Sequence, residues 1–288
     1  MKIAYVTDLH LLAKDPSSIK RANNLASKIS RARPEIAALL MGGDSFIFTK
    51  NFWPDVMLKE PAKEAQREEM KLSNIASIDE FMPKILSATS GLPIFMIPGN
   101  ADWLAYEHIR QNASKYKGVL PIDGRDVEFN GFRFVGLGGV EANDKDTNFI
   151  SCKNDWYGGV LSPSAFTKKI SLLEPEFLGW DKNAWQFMVL LVHQPPLGLV
   201  DVYKGEHAGG KLVAEFLRVH SPMLALAGHV HDAPVDAEGY KFSKAFDVTA
   251  NKTVVANTGG GLHHDEILRG AVIDLAKLSY DPLNLSGA

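Results

Sequence analysis

Runs of apolar residues, each about one strand long and each closed by polar residues, constrain this chain more than any other feature. Lys2–Thr7, Ile36–Met41, Pro93–Ile97, Gln186–Val192 and Met223–Ala227 are such runs. A continuous apolar run of this length reads as a buried strand. Between the early runs lie segments with helical spacing. Ser17–Ala32 is one, with Ser17 or Ser18 expected as its cap and Pro34 as its stop. Glu60–Leu86 is a second, ended before Gly91, and Trp103–Lys115 a third. Strands alternating with helices predict an α/β fold, whose sites lie at the carboxyl ends of the strands.

What closes each run is chemically uniform. The first runs into Asp8-Leu9-His10, the second into Gly42-Gly43-Asp44, and the third into Pro98-Gly99-Asn100-Ala101-Asp102. The fourth meets His193-Gln194-Pro195-Pro196, and the fifth Gly228-His229-Val230-His231. Taken singly, each has an ordinary explanation: a capping aspartate, a Gly-Gly-Asp turn, a solvated histidine. Together they offer Asp8, His10, Asp44, Asn100, His193, His229 and His231, all oxygen or imidazole donors. Two histidines at i and i+2 past a strand end aim both rings into one crevice. Neutral imidazole is the commonest metal ligand. Gly228 lets the chain turn and lets another group approach the backbone closely. Such donors suit Mn, Fe, Zn or Ni better than Ca, Mg or Cu(I). They are too many for one tetrahedral ion and match two ions ~3.5–4 Å apart that share a carboxylate.

Composition removes several other classes. A chain of 288 residues holds one large domain or two small ones. No linker-like tract divides it, so a single domain over residues 1–288 is expected. A formal net charge of -3 gives no support for a surface that coats nucleic acid. The one cysteine, Cys152, rules out an internal disulfide and a cysteine-based zinc site, and fits a reducing cytoplasm. Met1–Val6 is too short for a signal peptide, and no stretch approaches the ~20 apolar residues of a membrane span.

Past Gly118 the texture changes to short alternating segments. Val119–Leu120, Asp126–Phe129 and Phe132–Leu137 are expected strands, the last two joined by an Asn130-Gly131 hairpin turn. Ser162–Leu173 is an expected helix with Ser162 as its cap and Pro163 at its first position. Gly209 and Gly210 precede the expected helix Lys211–Val219 and are expected to expose amides to an anion. Pro234–Ala237, Tyr240–Phe242, Thr253–Ala256 and Ile267–Leu275 read as a short antiparallel set, with a loop carrying His263 and His264 among them.

In this order, Asp-x-His, Gly-Asp, Gly-Asn, Val-His and Gly-His-x-His resemble the calcineurin-like metallophosphoesterase family, from Asp8 to His231. The resemblance implies a four-layer αββα sandwich, two mixed sheets flanked by helices. It implies one metal held by Asp8, His10, Asp44 and His231, and a second held by Asp44, Asn100, His193 and His229, so that Asp44 bridges. It further implies a phosphoesterase. Two divalent ions, Mn first with Fe, Zn or Ni as alternatives, bring the pKa of a bridging water toward ~7, and hydroxide attacks phosphorus in line. His207, or amides near Gly209, are expected to contact the equatorial oxygens of the substrate.

There is one departure from the family pattern. Many members read Gly-Asn-His-Asp/Glu, where the histidine helps protonate the leaving alkoxide; this chain has Gly99-Asn100-Ala101-Asp102. Alanine neither donates nor accepts a proton, and His207, His263 and His264 are the candidate substitutes. Some members lacking that histidine favour phosphodiesters, so the resemblance points to a phosphodiesterase. A phosphomonoesterase or nucleotide phosphatase, and a catalytically weak metal-binding scaffold, stay open. A small phosphoester or nucleotide is the expected substrate, and a homo-oligomer stays open. Selectivity is expected in the loops around Phe46–Val56, Glu141–Tyr157 and Gly205–Gly210.

Overall fold

The computed structural model describes residues 1–47, 64–142, 159–177, 184–203, 206–230, 246–249, 252–258 and 269–284. In chain order the elements begin with β1 (Lys2–Val6), α1 (Pro16–Ala32), β2 (Ile36–Met41), α2 (Glu64–Thr89), β3 (Ile94–Met96) and α3 (Trp103–Gln111). The central part contains β4 (Val119–Pro121), β5 (Asp126–Phe129), β6 (Phe132–Leu137), β7 (Val140–Glu141), β8 (Val160–Leu161) and α4 (Pro163–Phe177). A 3-10 turn (Ala184–Phe187) leads into β9 (Met188–Val192), followed by β10 (Val202–Tyr203), β11 (Glu206–His207), α5 (Lys211–His220) and β12 (Leu224–Ala227). The chain closes with β13 (Phe246–Val248), β14 (Val254–Asn257), β15 (Arg269–Asp274) and β16 (Ser279–Asn284).

Two sheets of six strands carry the fold. One has the order β16-β15-β1-β2-β3-β4, the other β13-β14-β12-β9-β6-β5. In the first, β1 to β4 run parallel, β15 lies antiparallel to β1, and β16 antiparallel to β15. In the second, β14, β12, β9 and β6 are parallel, with β13 and β5 antiparallel at the edges. Successive side chains of a strand point to opposite faces, and here both faces are buried. Ile3 and Tyr5 of β1 lie in an apolar layer with Val189 and Leu191 of β9 and Leu224 and Leu226 of β12. Their neighbours Ala4 and Val6 instead meet Leu25 and Ile29 of α1 and Phe81 and Ile85 of α2. On the far side Leu190 and Val192 meet Phe166 of α4 and Val213 and Phe216 of α5. The result is helix, sheet, sheet, helix: the four-layer αββα sandwich with two mixed sheets. Burial on both faces is why the strands read as unbroken apolar runs.

The helices follow from the same layering. In α2, Ile78, Phe81, Met82 and Ile85 form an i, i+3, i+4, i+7 stripe against the first sheet. The cap of α1 is Asp15 rather than Ser17 or Ser18. Its carboxylate accepts the Ser18 N–H at 2.9 Å and the Ser18 hydroxyl at 2.8 Å, so the serines donate to the cap. Ser162 caps α4 as its sequence predicts, accepting the Ala165 N–H at 3.2 Å. Asn130 and Gly131 both have positive φ (50° and 78°), the turn that suits a two-residue hairpin.

The end of the chain differs from expectation. It does not form one short antiparallel set. The strand β14 pairs parallel with β12, while β15 inserts beside β1 in the other sheet. Ala271 and Ile273 of β15 fill the layer between the sheets, so the chain's last strands complete the first sheet it began. The segments 234–237 and 240–242 lie outside the described residues.

Leu40 on β2 is fully buried between the sheets. Leu40→Ala is expected to destabilise the metal-free protein by on the order of 2–5 kcal/mol. Urea unfolding followed by circular dichroism checks this, and a loss under about 1 kcal/mol would show a layer able to collapse around the gap.

Candidate metal centre

The pairing of β1 with β2 continues past the ends of both strands. Asp8 N–H donates to Gly43 O at 3.0 Å, His10 N–H to Asp44 O at 2.9 Å, and Leu11 N–H to Ser45 O at 2.9 Å. The conformation along this stretch is unusual. Asp8, His10, Asp44 and His229 all have positive φ, at 52°, 46°, 48° and 63°. An L-residue in the left-handed region costs about 1–2 kcal/mol. Such strain gathers where surrounding bonds enforce it, commonly at functional sites.

Glycines make room for the carboxylates and the ring. A Cβ on Gly99 would collide with the Asp44 carboxylate. One on Gly43 would lie 2.6 Å from His193 Nδ1 and 2.6 Å from Gly99 N. One on Gly228 would collide with the Thr7 hydroxyl and the Asp8 carboxylate, the close approach that its place before His229 predicts.

Donor atoms from both sheets then converge. Asp8, His10 and Asp44 each place one donor atom within 4.8 Å of the others, and Asp44, His193 and His229 do the same. Asp44 belongs to both groups. Asn100 joins the second, its Oδ1 3.2 Å from His193 Nε2. His231 lies outside the described residues. Asp8 accepts the Thr7 hydroxyl at 2.7 Å and the His229 N–H at 3.0 Å. Asp44 accepts the Ala101 N–H at 2.7 Å, so position 101 serves the site through its backbone.

The His193 ring shows what this arrangement accommodates. Nδ1 donates to Gly42 O at 2.9 Å, which turns Nε2 toward Asn100 and toward Asp44 Oδ2 at 3.5 Å. A neutral ring would therefore aim a lone pair at two oxygen acceptors. Burial disfavours the charged ring, yet the Asp44 charge and hydrogen bond outweigh it and push the His193 pKa up to about 9. Burial likewise opposes the Asp44 carboxylate, and the His193 charge holds it below its ordinary value. The cluster therefore favours a positive charge between these atoms. A divalent ion meets the same need with more charge and with the donor set already in place. Oxygen and imidazole donors without thiolate fit a divalent metal ion.

Asp102 is the residue that sequence reasoning missed. Its side chain is fully buried and makes no cap bond to α3, although it occupies the N-cap position. Instead Oδ2 accepts the Ser45 N–H at 2.8 Å and Oδ1 accepts the Gly99 N–H at 2.7 Å. One carboxylate thus ties the loop after Asp44 to the loop before Asn100. Burial, and then the charge of Asp44, raise its pKa to about 7. A helix-capping aspartate has the same local sequence, so no local signal separated the two roles.

The expected anion site before α5 is otherwise committed. Gly209 N–H donates to Asp201 Oδ2 at 2.9 Å, Gly210 N–H to Pro195 O at 2.8 Å, and Leu212 N–H to Glu141 Oε2 at 2.9 Å. Two carboxylates of the chain itself, Asp201 and Glu141, occupy the place assigned to a substrate phosphate. His207 is exposed on β11, with Nδ1 2.7 Å from Asp201 Oδ1. His263 and His264, and most of the expected selectivity loops, lie outside the described residues.

A profile of the calcineurin-like phosphoesterase family matches residues 1–233, and the chain belongs to that family. No curated protein matches it significantly. One crystal structure is 18% identical, with a TM-score of 0.68 and 99% of both chains covered. A dimetal phosphatase from Danio rerio is 12% identical, with a TM-score of 0.56 and 99% of both chains covered. A hypothetical protein from Thermus thermophilus is 11% identical, with a TM-score of 0.50 and 98% of both chains covered. At these identities the likeness is one of fold.

Asp102→Asn removes one of the two acceptors that join the ligand-bearing loops. The variant is expected to bind Mn²⁺ about 10- to 100-fold more weakly by calorimetry, the usual effect of losing a group that orients ligands. An affinity within about twofold of the parent would show that the loops hold their places without this clamp.

Proposed function

We propose that this chain is a dinuclear metal-dependent phosphoesterase, with phosphodiesters preferred. The observation that carries this reading is the sharing of Asp44 between two groups of donors, each compact enough for one ion. Asp8, His10, Asp44 and His231 would hold one ion, and Asp44, Asn100, His193 and His229 would hold the other. Family membership supports the reaction class, and the name of the similarly folded Danio rerio protein, a dimetal phosphatase, agrees with two ions. Mn is the first choice of metal, with Fe, Zn or Ni as alternatives.

Bound divalent ions supply Lewis-acid charge and a water that is acidic enough to react near neutral pH. The residues supply geometry. The Gly42 carbonyl holds Nδ1–H of His193 and so presents Nε2 inward. The His229 amide and the Thr7 hydroxyl fix the rotamer of Asp8. Asp102 sets the distance between the Asp44 and Asn100 loops.

Ala101 supports the preference for diesters, since position 101 itself supplies no acid for a poor leaving group. The same residue favours a second reading, a metal-binding scaffold that turns over slowly. Small phosphoesters or nucleotides are the proposed substrates. No helix among the described residues is long and apolar enough to cross a membrane. The single cysteine and the mild acidity support a cytoplasmic protein acting on small molecules. The apolar layer shared by both sheets supports one domain.

Chelation is expected to abolish hydrolysis of bis(4-nitrophenyl) phosphate, and Mn²⁺ to restore it. Asp44→Asn and His229→Ala are each expected to bring turnover to the uncatalysed background. Unchanged rates in either variant would overturn the assignment. Faster cleavage of 4-nitrophenyl phosphate than of the diester would make the protein a monoesterase. Two Mn²⁺ bound per chain with no ester cleaved would favour the scaffold.

A further inference from the structure

The segment after His193 doubles back over its own start. Gln194 Nε2 donates to Ala208 O at 3.3 Å, and Gly210 N–H donates to Pro195 O at 2.8 Å. A Cβ on Gly209 would lie 2.6 Å from the carbonyl carbon of Pro196, so the two strands of this fold-back are in close contact. A second fastening comes from Asn257, buried at the end of β14. Its Nδ2 donates to Val200 O at 3.0 Å and to Val230 O at 3.2 Å. Val230 is the neighbour of His229. The β10–β11 segment is therefore anchored at the carboxyl edge of the second sheet, through Gln194 and Pro195 next to His193 and through the Asn257 side chain that also holds Val230 next to His229. Val200 has a φ of 52°, a conformation that β-branched residues avoid.

Within this segment a buried carboxylate holds an exposed imidazole. Asp201 is 0% exposed, whereas the His207 side chain is 56% exposed. Asp201 Oδ2 accepts the Gly198 and Gly209 amides, each at 2.9 Å, and Oδ1 accepts His207 Nδ1–H at 2.7 Å. With Nδ1 committed to the carboxylate, Nε2 is the ring atom left to meet a reactant. A carboxylate that fixes one nitrogen while the other exchanges a proton is a recurrent way to orient a catalytic histidine. Position 101 carries only a methyl group, so a proton donor at the site's rim has a task to perform.

The geometry points to His207 as the acid that protonates the leaving oxygen, with Asp201 as its positioning residue. The inference rests on the phosphoesterase reading above. Water provides the oxygen that joins phosphorus and releases one proton to solvent. The bond from phosphorus to the leaving oxygen breaks, and its electron pair goes to that oxygen. The proton on His207 Nε2 moves to the same atom, which departs as a neutral alcohol. The ring is left neutral and regains its proton from solvent. Asp201 keeps its hydrogen bond to Nδ1 throughout.

A general acid matters in proportion to how poorly the leaving group leaves. The test compares methyl phenyl phosphate with methyl 4-nitrophenyl phosphate, using the full chain loaded with Mn²⁺. For His207→Ala, kcat/KM on the phenyl ester is expected to fall about 100-fold or more, and on the nitrophenyl ester less than about tenfold. Asp201→Asn is expected to move the two rates in the same direction. Nitrogen-15 NMR should show His207 changing from one fixed tautomer to a mixture in that variant. Calorimetry should give the same Mn²⁺ affinity for His207→Ala as for the parent. Equal losses on the two esters, or no loss on either, would overturn the inference and leave the phosphoesterase reading intact. A parent protein that cleaves neither ester would overturn both.

Discussion

The structure depends on the burial of Asp44. Its carboxylate shares a space with that of Asp8, with donor atoms of the two within 4.8 Å. Two like charges at that separation repel by about 3 kcal/mol even at an effective dielectric of about 20. Asp102 lies close by, and its burial first, then the charge of Asp44, raise its pKa to about 7. Nothing apolar in the surrounding layers offsets this. A positive charge does, and the neighbouring groups are arranged to receive one. The Asp44 charge pushes the His193 pKa up to about 9, and the same oxygen and nitrogen atoms suit a divalent ion.

Holding these groups together is a task for both sheets. Gly228 N–H donates to His193 O at 2.9 Å, within the second sheet's edge. His229 N–H crosses to Asp8, and His193 Nδ1–H crosses to Gly42 O, so the second sheet donates both bonds to the first. The apolar layer between the sheets sets the distance over which those bonds form. Ion binding and folding are therefore linked: whatever binds only the folded site stabilises the fold that makes it. The strained backbone at Asp8, His10, Asp44 and His229 fits this picture, since those conformations persist only where neighbours enforce them.

The departure at Ala101 divides chemistry from geometry. Its backbone amide still serves Asp44, so the ligand loop keeps its shape without the family's histidine. What is lost is a proton donor. The carboxylates near α5 play a different part from the one its glycines suggest. Asp201 and Glu141 take up the amides there, so that end of the helix steadies the loop carrying His207.

Much of this was legible in the residues themselves. Apolar runs of strand length, closed by Asp8, Asp44, Asn100, His193 and His229, located the sheet ends and the donors, because burial on both faces leaves an unbroken apolar signature. The Asn130-Gly131 turn and the Ser162 cap were equally local, and equally readable. Tertiary structure decided the rest. It placed β15 beside β1 and β14 beside β12, since strand partners are chosen by long-range pairing that no short window records. It turned Asp102 from a helix cap into a clamp between two loops, and it joined Asp201 to His207. In each case the deciding partner lies across a fold-back or in another loop, and a hydrogen bond or a charge acts through space rather than along the chain.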